Sequence, residues 1–259
     1  MKLTDAHVNT FLEEGLVLID DVFTIDEMTA ASAAFDRQYE TAGQANGIRG
    51  MPDDLGLIDV LQHPHLEAIA KHMLGADDVV LNSSAMLLRH PNDATTVTIE
   101  REHVDIQFSL EEMKRTPRCM LAMLMVFIED LPEGRGNTWI RPRSHRQISQ
   151  WLADHNAEPV KAQPTPFDDL PAELNFAPLQ PVVAKRTQAA AFTTAVVHSG
   201  STNIDTKPRK IMFVNFSPKG MLNETSGNHN QREGRNAWRS MLAEHLRPER
   251  RHLALDSED

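Results

Sequence analysis

The chain has 259 residues, of which 26 are Lys or Arg and 37 are Asp or Glu, giving a formal charge of −11. That length suits one sizeable core, and the acidic balance argues against generic binding to nucleic acid or anionic membrane, so a small-molecule partner is expected. The single cysteine, Cys119, excludes an intramolecular disulfide, the first residues lack an apolar signal core and no run reaches the length of a membrane span; a reducing cytoplasm is the expected setting.

Residues 4–14 carry a Thr cap, an acid in the first turn and apolar residues at helical spacing, which predicts a helix that Gly15 ends. A short strand follows at 16–19. Thr24 and Glu27 stand at capping-box spacing and open a helix through about residue 37. Residues 41–55, with Gly43, Gly47, Gly50 and Pro52, have turn chemistry and no periodicity, which predicts a mobile loop able to fold over a site mouth. A helix over 65–74 ends at Gly75. Strand patterns then take over at 79–81, 85–89, 95–99 and 119–128, with Cys119 as a buried, inert thiol and Met86, Met120, Met123 and Met125 as core filler.

Residues 130–136 read as a long turn and 144 to about 155 as a helix. Residues 158–178, with five prolines, form an irregular insertion of the kind that decides which substrate fits. Closing strands are predicted at 181–184, 189–197 and 210–216, then a helix at 236–245 and a frayed, charged tail over 247–259. Helices first and strands afterwards point to a helix-supported antiparallel β-core, and no repeat of fixed period is present.

Two distant stretches carry the chemistry. His103 and Asp105 form a His-x-Asp pair, and on a strand positions i and i+2 face the same way. His198 ends the apolar run 189–197 and supplies a second imidazole. Two His and one carboxylate on one face of a metal, with the other face open, is the ligand set of non-haem Fe(II) oxygenases. A lone His-x-Asp is weak evidence, since a solvated pair gives the same pattern. Arg209 precedes the run 211–216, and two antiparallel strands joined by a loop would bring it beside His198, where its guanidinium can grip a carboxylate in bidentate fashion.

These residues, in this order, resemble the phytanoyl-CoA dioxygenase-like family of Fe(II)/2-oxoglutarate oxygenases. The family pattern is His-x-Asp, a distal His and an Arg eleven residues later, and here 209 minus 198 is eleven. The helix and strand over 11–19 and the segment 136–145, ending in Ser144-His145, are similar to the family's opening and to its Pro-Gly-Ser-His segment, so the resemblance spans roughly residues 10–217. Departures are Arg143 in place of a Gly, Thr187-Gln188 in place of a Gly-Asp turn, and Gly200 in place of a Ser that touches 2-oxoglutarate.

The resemblance implies a mainly β fold with flanking helices, a double-stranded β-helix of the jelly-roll, cupin-like kind. It would form one domain, with helical support over 1–75, a jelly-roll core at about 79–217 and a C-terminal helix and tail over 218–259. It implies Fe(II) held by His103, Asp105 and His198, and 2-oxoglutarate as cosubstrate with Arg209 on its far carboxylate; with Gly200 in place of the serine, Ser201 or Ser199 would substitute beside it, or nothing does. The implied reaction hydroxylates an unactivated C–H of a small molecule with O2, releasing succinate and CO2, a chemistry suited to secondary or specialised metabolism. Because Asp105 is retained, no position is left for a halide, which favours hydroxylation over halogenation; desaturation, epoxidation and ring formation share the oxidant and stay open.

Other residues have plainer explanations beside the sharp ones. His63 and His65 lack a carboxylate partner in sequence and read as surface residues, and His145 as a structural hydrogen bonder. Arg135, Arg141, Arg143 and Arg146 are most simply a solvated edge, with an anion-binding wall for the substrate as the alternative, to which Arg141 and its neighbour Trp139 would contribute. Two further function classes fit the pattern: a jelly-roll binding protein without turnover, and a cupin-like metal enzyme that uses no 2-oxoglutarate, in which Arg209 has no task. The sequence leaves the substrate and the oligomeric state open.

Overall fold

The structure is a computed structural model of the chain and describes residues 1–41, 43, 46–222 and 232–255. In chain order it contains α1 (Asp5–Glu14), β1 (Leu16–Ile19), α2 (Ile25–Thr41), β2 (Gly47–Arg49), α3 (Leu55–Leu61), α4 (Pro64–Leu74) and β3 (Val79–Arg89). Then come β4 (His103–Val104), α5 (Leu110–Lys114), β5 (Ala122–Phe127), β6 (Trp139–Ile140), α6 (Ser144–Asp154), β7 (Thr165–Pro166) and β8 (Gln180–Pro181). The chain closes with β9 (Ala189–Phe192), β10 (His198–Ser199), β11 (Arg209–Pro218) and α7 (Arg232–His245).

The strands make two antiparallel sheets, ordered β1-β9-β5-β11-β3-β2 and β7-β4-β10-β6-β8. Alternation along β11 explains how they stack. Met212, Val214 and Phe216 turn to a helix-covered core that also holds Phe11, Phe35, Leu66 and Leu242. Ile211 turns the other way, into a smaller core with Met125, Phe127, Ile140 and Val182 that joins the two sheets. This is the mainly β, helix-flanked jelly-roll architecture.

Local signals set the early elements. Thr24 and Glu27 cap α2 reciprocally: the Thr24 N–H donates to Glu27 Oε2 at 2.7 Å and the Glu27 N–H to Thr24 Oγ1 at 3.2 Å. Gly15 ends α1 at φ 87°, a conformation that favours glycine, and its N–H closes on the Phe11 carbonyl at 3.0 Å.

Several expectations are corrected. Residues 79–89 are one strand, because Asn82 and Ser84, which look like a break, are paired within the sheet: Asn82 Nδ2 donates to Ser217 Oγ and Ser84 Oγ to the Phe213 carbonyl. Residues 95–99 form no strand beyond a single bridge from Ile99 to Ser201, since the threonines there are exposed and offer no apolar face to bury. The run 189–197 is divided: β9 stops at Phe192, a turn follows, and His198 begins β10 in the other sheet. Helices α3 and α5 form where none was expected, and the insertion 158–178 contributes β7, paired with β4. In 41–55, β2 pairs with β3, while residues 42, 44 and 45 of the expected loop lie outside the described residues, as do 256–259 of the tail; the tail before them is not frayed, since Pro248–Leu253 form a 3-10 helix and Leu253 and Ala254 are buried in the main core. Among the described residues, no helix is long and apolar enough to cross a membrane.

His145 on α6 is buried and its Nε2–H donates to the Leu12 carbonyl at 3.0 Å, tying α6 to α1. Burial pushes its imidazole down to about 4. The unfolded chain therefore takes up a proton first, so stability falls as pH drops from about 6.5 toward 4, by up to roughly 3 kcal/mol from this residue. Urea midpoints measured across that window should fall less in His145→Gln than in the wild type; equal slopes would contradict this account.

Candidate active site

His103, Asp105 and His198 come together where β4 and β10 meet, His103 lying opposite His198 in the pairing register. One ligand atom from each lies within 4.8 Å of the others. His103 Nε2 is 3.4 Å from Asp105 Oδ1, His198 Nε2 is 3.6 Å from Asp105 Oδ2, and the ring centroids are 4.4 Å apart. Asp105 lies just past the end of β4; its backbone N–H is fixed by the Thr194 carbonyl at 3.1 Å, and this anchor does the work expected of strand alternation.

Each imidazole is oriented by its other nitrogen. His103 Nδ1 meets the Arg101 carbonyl at 3.2 Å and His198 Nδ1 the Val196 carbonyl at 2.9 Å. A carbonyl only accepts, so both Nδ1 atoms carry a proton and each Nε2 is the atom turned toward the carboxylate. The hydrogen bond to Asp105 raises the His103 imidazole above its ordinary value despite burial, whereas burial lowers that of His198. Burial also works against the ionised Asp105, but the two imidazoles outweigh it and hold the carboxyl below its usual range. A divalent metal requires neutral imidazoles beside an ionised carboxylate, so the shifts of His198 and Asp105 favour that state while the hydrogen bond from His103 to Asp105 works against it.

A cavity of about 320 Å³ opens on the three side chains and runs to Arg209. Arg209 is 3% exposed. One of its terminal nitrogens donates to the Gly136 carbonyl at 2.5 Å and the other to Thr138 Oγ1 at 2.6 Å, while Nε meets no partner. Burial, with Arg89 alongside, brings the guanidinium down to about 9, and Arg209 forms no ion pair with a carboxylate among the described residues. A buried cation without a counter-charge is costly, and the cavity in front of it suits an anionic end group.

Arg209 and His198 do not share a hairpin. Arg209 begins β11 in the larger sheet, opposite Arg89 of β3, and reaches the site because the two sheets stack. Ser199 and Gly200 line the cavity, while Ser201 is turned away, buried against the Asn137 carbonyl. A Cβ at Gly200 would come within 2.5 Å of Glu100 Oε2, so the carboxylate that pairs with Arg89 occupies the space a serine would need there.

Trp139 and Arg141 are not among the cavity's lining residues. Arg141 is held by Glu102 at 2.5 and 3.0 Å and stacks over Phe167. Arg135 pairs with Asp205, Arg143 with Glu14 and Arg146 with Glu13, so the four arginines face four different carboxylates and assemble no common wall. His63 and His65 serve structure: His63 caps α4 and His65 Nδ1 donates to the Val22 carbonyl at 2.7 Å. Met123, expected in the core, lines the cavity with Met125, Phe192 and Phe213. Thr138, Arg89, Glu100 and Asn215 also line it and were not singled out in the sequence. Only Asn215 left a signal, since it shares side-chain parity with Arg209 along one strand.

The sequence matches the family described as Phytanoyl-CoA dioxygenase (PhyH) over residues 11–211. No curated protein sequence matches the chain. Among solved structures, the fold is similar to the non-heme alpha ketoglutarate dependent epimerase SnoN from nogalamycin biosynthesis, at 19% identity over 83% of this chain and 82% of that one, with a TM-score of 0.60. It is similar to HygX from Streptomyces hygroscopicus with nickel and 2-oxoglutarate bound, at 14% identity over 85% and 88%, TM-score 0.61. A third is the carbocyclase SnoK, also of nogalamycin biosynthesis, at 20% identity over 84% and 85%, TM-score 0.58.

Because Arg209 holds its charge without a carboxylate, replacing it should cost the metal-free protein little. Arg209→Met is expected to change the unfolding free energy in urea by no more than about 1 kcal/mol in either direction; a loss of about 3 kcal/mol or more would mean that its two hydrogen bonds hold the sheets together.

Proposed function

We propose, from the premise that this chain belongs to the phytanoyl-CoA dioxygenase (PhyH) family, that it hydroxylates an unactivated C–H bond of a small molecule, with His103, Asp105 and His198 holding iron and Arg209 holding the far carboxylate of 2-oxoglutarate. Membership makes it an iron- and 2-oxoglutarate-dependent oxygenase; the residue roles and the hydroxylation outcome are our reading. The observation that carries it is Arg209, a buried cation with no carboxylate of its own, opening on the same cavity as a His-Asp-His cluster.

The residues fit both groups. Two imidazole Nε2 atoms and one carboxylate are the borderline donors that Fe(II) accepts, and their grouping on one side leaves the cavity side for other ligands. Iron and 2-oxoglutarate together supply oxidation of a C–H bond at the expense of O2, with succinate and CO2 as co-products.

The chain's part is placement. Arg209 and the Thr138 hydroxyl bind a carboxylate end, and Gly136 and Thr138 fix the plane of the guanidinium so that it is aimed before binding. Ser199, not Ser201, is the hydroxyl placed to assist. The carbonyls of Arg101 and Val196 hold the imidazole tautomers. Met123, Met125, Phe192 and Phe213 exclude water between the metal ligands and Arg209, which guards the reaction against unproductive quenching. A single domain is supported by one core that takes Phe11 of α1, Val214 of β11 and Leu242 of α7 together.

The deciding experiment is an anaerobic titration of the metal-free protein with Fe(II) and then 2-oxoglutarate, watching for the visible charge-transfer band of a chelated keto acid. The wild type should give the band, His198→Ala should abolish it, and Arg209→Met should need at least about 10-fold more 2-oxoglutarate, the loss of one charge-assisted contact. No band in the wild type sinks the reading. Product mass and NMR then separate outcomes: gain of one oxygen atom as a new hydroxyl on a formerly saturated carbon supports hydroxylation, whereas an unchanged mass, or loss of two hydrogens with a new ring, indicates outcomes like those named for the epimerase SnoN and the carbocyclase SnoK.

A further inference from the structure

A second cavity, of about 230 Å³, lies beside the first and shares Asp105, Met123 and Asn215 with it. Of the three candidate metal ligands only Asp105 lines it, and Arg209 does not. Asn215 stands six residues beyond Arg209 on β11, about 20 Å along a strand. One wall is apolar, from Ile106, Leu121 and Met123; the other is polar and neutral, from Ser83, Gln163, Thr194 and Asn215.

Among the described residues, two oxygens on the polar wall lack a donor. Thr194 is 2% exposed and its Oγ1 meets no partner, and Asn215 Oδ1 meets none although Asn215 Nδ2 donates to Ser83 Oγ at 2.9 Å. Enclosed polar atoms are seldom left in that state, so these two point to a ligand that brings hydrogens. The charges at the rim select no ion. Lys161 is paired with Glu112, and Arg235 reaches Asn82 Oδ1 at 3.5 Å.

Resting on the oxygenase reading above, we propose that this cavity is the substrate subsite and takes a compact, neutral molecule with at least two hydroxyls, seated with its less polar face on Ile106 and Leu121. Hydroxyls both donate and accept, which suits Thr194, Asn215 and Ser83 together. A long acyl chain suits neither the polar wall nor the volume, which lies below the roughly 300–1,000 Å³ of pockets for drug-sized ligands.

The test is ligand-observed NMR on the full chain loaded with Zn(II) and 2-oxoglutarate, where no turnover occurs, with methyl β-D-glucopyranoside, myo-inositol and octanoate as probes. At least one hydroxylated probe should bind, with Kd on the order of 1 mM, and octanoate should not. Thr194→Val and Asn215→Leu should each weaken that binding at least about 5-fold. Ser83→Ala, a milder change, should weaken it too and carries the test if the other variants fail to fold. Octanoate binding as tightly as the hydroxylated probes, no binding of either hydroxylated probe, or unchanged binding in the variants overturns the inference. Titrating metal-free wild-type protein of the same batch with Fe(II) and 2-oxoglutarate separates the two failures: without an iron–keto acid band the oxygenase reading falls, and with it only the substrate class does.

Discussion

Arg209 is an ionised side chain enclosed between two sheets, held by a backbone carbonyl and a hydroxyl but by no opposite charge. Folding would ordinarily select against such a group, because desolvation costs several kcal/mol and hydrogen bonds to neutral acceptors return only part of it. Its neighbours are arranged around that cost. Gly136 and Thr138 aim the guanidinium, Arg89 beside it is neutralised by Glu100, and the cavity in front is left for an anion to supply the missing charge. A protein that leaves a cation short of its counter-ion retains the free energy of pairing for the moment of binding.

The same economy governs the His-Asp-His cluster that could hold a metal. Neither imidazole is left to choose its tautomer, since the carbonyls of Arg101 and Val196 each take an Nδ1–H, and Asp105 is pinned through its own backbone to Thr194. Two imidazoles on short strands of the smaller sheet, and Asp105 just past one of them, thus meet an arginine from the larger sheet. Packing of Ile211, Met125, Phe127 and Ile140 between the sheets fixes that distance, so the apolar seam is part of the site although none of the four ligates anything.

Alternation along β11 does two tasks at once. One face, through Met212, Val214 and Phe216, fills the core beneath the helices; the other carries Arg209, Phe213 and Asn215 along the reacting cavities. A slip of one residue would bury Arg209 among the helices and turn the core residues into the site, so the long register with β3 and β5 protects chemistry and stability together.

Much of this was legible in the sequence by itself. The order and spacing of His103, Asp105, His198 and Arg209 picked out four residues that the fold brings onto one cavity, because residue identity and order along the chain survive without coordinates. Caps and turns such as Thr24 with Glu27, and Gly15 and Gly75, placed the early helices, because those signals are local. What failed was what depends on distant partners. Residues 189–197 are buried throughout, so no alternation marked where β9 ends and the chain crosses to the other sheet. The threonines at 95–99 have strand propensity but nothing to pack against, and tertiary context overrode it. The arginines of 135–146 found separate carboxylates far away in sequence, which no local pattern announces. Whether Arg209 met a counter-ion, and which neutral groups faced the second cavity, was decided only in the folded structure, since both are properties of contacts between segments that lie 71 to 132 residues apart in the sequence.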